Sequence, residues 1–211
     1  MAGMKKSWWL LVIVSLGVIA PFAAPYLTFD AANSRVNVAQ GSMQFPLLLA
    51  HILFALAALL AGFVQFIPRI REERPRMHRL CGRIYVVSVI VSALLALPLV
   101  GYMDNFAKAT GFAALALIWL FTTWKGYRAA IRRDYAAHRA WMIRSFGITL
   151  VAVSGRLLVP VLLLTYAAQH GFSLPAGREG MVEDVLNVNI WAGLIVNMMI
   201  VEWAVLKPKR T

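Results

Sequence analysis

The sequence predicts an all-α fold: a polytopic membrane bundle of six transmembrane helices, with spans 2–5 as a four-helix core. Three observations carry that prediction: an excess of apolar residues, six apolar segments of membrane length, and one-sided placement of the basic residues. Of 211 residues, 61% are hydrophobic and 14% charged, and the mean hydropathy is +0.71. A soluble domain is about 45–50% apolar and about 25% charged. Soluble enzymes, disordered chains and secreted disulfide scaffolds are therefore excluded. The single cysteine, Cys81, closes no internal disulfide.

A bilayer core of about 30 Å takes roughly 20 apolar residues per helix. Span 1 covers about residues 8–27. It offers only Ser15 and Gly17 as small or polar residues, so it reads as peripheral. Phe22 and Pro25 around Ala23 and Ala24 make a poor cleavage site, so the segment reads as a retained span and not a signal peptide. Span 2, about 45–67, carries His51, Ala55, Ala58, Gly62 and Gln65 on one helix face. Span 3, about 84–103, is led in by His78, Cys81 and Gly82 and continues through Tyr85, Ser88 and Ser92. Span 4, about 109–127, offers Gly111, Ala114, Ile118, Thr122 and Lys125. Span 5, about 146–168, carries Thr149, Ala152 and Arg156 on the face of Ser145 and His138. Span 6, about 186–206, carries Asn189, Gly193, Asn197 and Glu202. Trp8, Trp9, Tyr26, Tyr102, Trp124, Tyr127, Trp141, Tyr166 and Trp203 lie near span ends, where amphipathic rings anchor among headgroups.

Seventeen Lys and Arg residues lie before span 1, between spans 2 and 3, between spans 4 and 5, or after span 6. Only Arg35, Lys108 and Arg178 lie on the other side, and Arg156 is inside span 5. The positive-inside rule then places both termini in the cytoplasm, in a multi-pass protein of the bacterial inner membrane. The net charge of +12 is accounted for by anionic lipid headgroups as partners. No basic domain stands apart from the spans, so a nucleic-acid partner is excluded.

Two segments, about 45–103 and 106–168, read as a parallel internal repeat within one membrane domain. The first turn reads Arg74-Pro75-Arg76-Met77-His78-Arg79 with Arg83 following; the second reads Asp134-Tyr135-Ala136-Ala137-His138-Arg139 with Arg144 following. Pro75 suits a first helical position and Asp134 an N-cap, which makes both histidines fourth in their helices. Pro98 and Pro160 follow at similar distances and can kink both helices.

The ionisable residues nominate two sites. Arg156 is ten residues past Phe146, roughly 15 Å deep at helical rise. Arg there costs at least about 2.5 kcal/mol on the mildest scale, so it needs a partner, a polar cavity or a ligand. Asn197, Glu202 and His51 complete this intramembrane polar site. The second site pairs His78 with His138, which enter from the same side. Two neutral imidazoles suit the iron of one haem b, and Arg79, Arg139 and Arg144 suit its propionates or another anion. A headgroup-binding His-Arg cluster explains the same residues. No zinc spacing, nucleotide loop or nucleophile triad is present.

The two His-Arg blocks, His78-Arg79-Leu80-Cys81-Gly82-Arg83-Ile84-Tyr85 and His138-Arg139-Ala140-Trp141-Met142-Ile143-Arg144-Ser145, with Arg156, Asn197 and Glu202, resemble an uncharacterised prokaryotic family of predicted membrane proteins, a domain of unknown function. The resemblance spans about three quarters of the chain and implies architecture without an activity. A looser resemblance is to the six-helix transmembrane haem-b cytochromes, which hold two bis-histidine haems between alternate helices. His78 and His138 match one pair by span number, while His51 has no facing histidine. Two functions follow as expectations. One is a redox protein binding one haem b, or a quinone, near the cytoplasmic face. The other is a non-redox small transporter, or the assembly partner of another membrane protein, built around Arg156.

Overall fold

The computed structural model describes residues 6–39 and 41–206. Lys5, Lys207, Lys209 and Arg210, which contribute to the charge asymmetry, lie outside the described residues. The described chain is an all-α bundle: α1 (Lys6–Ala23), α2 (Gln44–Gln65), α3 (Pro68–Glu73), α4 (Pro75–Leu99), α5 (Phe106–Ile131), α6 (Tyr135–Thr149), α7 (Val151–Leu157), α8 (Val159–Gln169) and α9 (Gly177–Leu206). Among the described residues five helices are long and apolar enough to cross a bilayer, and there are six if the bent pair α7 and α8 counts as one span. The protein is a multi-pass membrane protein.

Local chemistry sets several helix starts. Pro75 opens α4, where its missing N–H costs nothing. The Asp134 carboxylate accepts from the Ala137 N–H at 3.0 Å and caps α6, and Asn105 caps α5 through the Lys108 N–H. His78 and His138 each fall in the first turn after these starts, fourth from Pro75 and from Tyr135.

α2 and α4 form an antiparallel hairpin pinned at both ends. At one end Gln65 Nε2 donates to the His78 carbonyl at 2.8 Å. At the other, His51 Nδ1 lies 2.9 Å from the Ser92 carbonyl, and the Ser92 hydroxyl donates back to the His51 carbonyl. Gly62 lets the Phe146 ring of α6 lie against α2, and Trp8 of α1 packs on Phe63, Phe66 and Phe146.

Span 5 differs from the single helix expected over 146–168. It breaks at Leu150 and again at Leu158. At the first break Thr149 Oγ1 bonds back to the Ser145 carbonyl, a bond that bends helices. The Gly147 carbonyl instead accepts Asn197 Nδ2 of α9 at 2.8 Å. At the second, Pro160 offers no N–H to the Arg156 carbonyl, and α7 and α8 meet at a 44° bend. α9 packs against α5, α6, α7 and α8, so the sixth span shares the core with spans 2–5. Its approach is close at Gly193, where an added Cβ would stand 2.9 Å from the Gly155 backbone nitrogen.

Candidate functional site

The centre of the bundle is polar but closed. The Tyr85 hydroxyl lies 2.7 Å from Ser145 Oγ and 2.9 Å from Thr149 Oγ1. Thr123 Oγ1 lies 2.6 Å from Ser145 Oγ, and Trp119 Nε1 donates to Thr149 Oγ1 at 3.1 Å. All five side chains are buried. These residues come from α4, α5 and α6, and every polar atom named has a partner. The network is interhelical adhesive of the kind membrane bundles use. Sequence reasoning placed Tyr85, Ser145 and Thr149 on inward stripes and missed Thr123 and Trp119. Their only signal was that Thr123 follows Thr122 and that Trp119 is far from either span end.

The basic end holds the paired histidines. His78 and His138 are both half-buried, and they stand near enough for the charge of one to act on the other. His138 Nδ1 is 2.9 Å from the Gly126 carbonyl. A carbonyl only accepts, so Nδ1 is the donor, and the neutral form of this imidazole has its lone pair on Nε2. This is the orientation a metal-ligating histidine takes when a backbone carbonyl holds its other nitrogen. Gly126 also gives room to Met142 of α6: a Cβ there would meet Met142 Sδ at 2.6 Å. His78 Nδ1 is enclosed and makes no hydrogen bond. Arg79 and Arg139 are exposed beside the pair.

Arg144 is committed elsewhere. Its Nε and Nη2 grip the Glu202 carboxylate at 2.5 and 2.8 Å, and its guanidinium lies 4.9 Å from the Trp141 ring centre. The pair is partly exposed, at 18% and 36%. Glu202→Gln is expected to destabilise the protein by about 1–3 kcal/mol, below the ~3–5 kcal/mol of a wholly buried pair. A double-mutant cycle with Arg144→Met, read by unfolding in mixed micelles, checks it. A coupling near zero would show that the fork adds nothing.

The residues expected to form one intramembrane polar site are separated by their partners. His51 is held by Ser92, Asn197 by the Gly147 carbonyl and Glu202 by Arg144. Arg156 bonds the Ala152 carbonyl at 2.6 Å and lies over Phe22 of α1 at 4.3 Å. Among the described residues no hydrogen bond or ion pair joins Arg156 to the other three. His170 stacks on Tyr166 and bonds its carbonyl, as a loop residue does.

A model of the family described as predicted membrane protein (DUF2306) matches residues 48–205. That match runs from the second turn of α2 almost to the end of α9 and includes both histidines. No curated protein and no solved structure matches the chain.

Proposed function

The chain belongs to the DUF2306 family of predicted membrane proteins, and from that premise and the basic-end geometry we propose that it is a membrane redox protein binding one haem b between His78 and His138. The observation that carries the proposal is the state of the two imidazoles. One is oriented by the Gly126 carbonyl with Nε2 free, and the other has a buried nitrogen with no hydrogen bond. His78 and His138 would hold the haem iron, and the exposed Arg79 and Arg139 would bind its propionates. Arg144 has no share in this, since Glu202 holds it. Haem would supply one-electron transfer. A quinone is the alternative cofactor, its carbonyls accepting from the N–H groups of His78, Arg79 and Arg139. The optical spectrum of protein purified from haem-replete cells tests the reading. A reducible Soret band is expected. Its absence overturns the haem assignment, and solvent extraction then tests for quinone.

We place the arginine-rich end, with both termini, on the cytoplasmic side of a bacterial inner membrane, against anionic headgroups. In a Cys81→Ser background, a cysteine at Ser34 is expected to react with an impermeant thiol reagent from outside whole cells. Labelling only from the cytoplasmic side would invert the topology. The second reading, a transporter or an assembly partner built on Arg156, draws on the guanidinium's lack of a carboxylate among the described residues.

A further inference from the structure

We propose that Arg156 and Arg35 form a binding site for an oxyanion, a phosphate or carboxylate group, at the end of the bundle opposite the paired histidines. The inference is independent of the cofactor reading. Both guanidiniums converge on one ring: Arg156 lies 4.3 Å and Arg35 5.0 Å from the centre of Phe22. Their charges act on each other, yet among the described residues neither forms an ion pair. Two like charges brought together without a counter-charge oppose folding unless something anionic joins them. Chance convergence is a poor account, because Arg35 is held where it is. Its backbone N–H donates to the Tyr26 hydroxyl at 3.2 Å, its Nη2 donates to the Pro21 carbonyl at 2.9 Å, and Tyr26 itself is buried.

The hydrogen-bonding capacity of the site is also open. A guanidinium carries five N–H donors. Arg156 uses one nitrogen, Nη1, on the Ala152 carbonyl, and its Nε is enclosed with no hydrogen bond. Contact with the Phe22 ring uses no N–H group, so the donors beyond Nη2 of Arg35 and Nη1 of Arg156 are left for a ligand. Planar donor edges from two arginines match the oxygens of a phosphate or carboxylate, which guanidinium grips as a fork. The position fits either of two sources. The 28–44 connection that carries Arg35 joins two helices of membrane-spanning length, which would set it at the level of lipid phosphate, and Arg35 is exposed to soluble anions as well.

Thermal unfolding of the full-length protein in phosphate-free maltoside micelles tests the site, with inorganic phosphate and short-chain phosphatidylglycerol as separate probes. Saturable stabilisation is expected, with no equal effect of chloride at matched ionic strength. Arg156→Gln and Arg35→Gln are each expected to weaken apparent affinity about tenfold or more. Arg178→Gln, exposed in the first turn of α9 and not on the Phe22 ring, is expected to leave the affinity unchanged. If Arg156→Gln does not fold, Arg35→Gln alone decides, because Arg35 sits on an exposed connection. Stabilisation by phosphatidylglycerol alone assigns a lipid headgroup, and stabilisation by phosphate as well assigns a soluble oxyanion. No saturable response to either probe, or a response that Arg35→Gln leaves intact, overturns the proposal.

Discussion

If the protein binds one haem b as proposed, alanine at His78 or at His138 is expected to abolish its low-spin spectrum or convert it, while alanine at His51 leaves it unchanged. Each imidazole would hold the iron from its own helix, so losing either one would change the spectrum. The two sites differ in a way that the variants can read. His138 is oriented through Nδ1 by the Gly126 carbonyl. Gly126→Ala, which would push Met142, is therefore expected to perturb the spectrum with both ligands still present. A loss of orientation of this kind typically costs about 10–100-fold in affinity. His51 is occupied with Ser92 at the other end of the α2–α4 hairpin. A haem that survives both His78→Ala and His138→Ala but is lost in His51→Ala would put the cofactor at the wrong end of the bundle for this reading.

Tyr85→Ala is expected to be the most damaging change to stability, at about 3–5 kcal/mol, the usual cost of deleting a buried aromatic ring. The Tyr85 side chain is 1% exposed and lies where α4, α5 and α6 meet. Tyr85→Phe keeps the ring and removes the hydroxyl. Ser145 still has Thr123, and Thr149 still has Trp119 and the Ser145 carbonyl. No group is stranded outright, so the expected loss is about 0.6–1.7 kcal/mol, the range of interhelical hydrogen bonds measured in membranes. Unfolding free energies of both variants in mixed micelles check this. If phenylalanine costs as much as alanine, the hydroxyl network and not the ring holds the three helices. If neither costs more than about 1 kcal/mol, the junction contributes little.

Membership of the all-α membrane class was legible in the amino-acid order because bilayer thickness is read along one dimension. An apolar run of sufficient length must become a helix, since no water meets its backbone groups. The Asp134 cap and the Pro75 start were legible for the same reason: capping chemistry acts within three or four residues. From those starts followed the shared position of His78 and His138. Contacts between distant segments were not legible. Arg144 and Glu202 are 58 residues apart, and Asn197 and Gly147 are 50 apart. Stripes of small and polar residues indicated which face turns inward, as for Tyr85 and Ser145, but not which neighbour that face meets. Arg156 could thus be assigned a depth but not its place on Phe22. The break at Leu150 was hidden as well. Thr149 can bend a helix anywhere, but the Gly147 carbonyl is satisfied at that break because Asn197 of α9 reaches it.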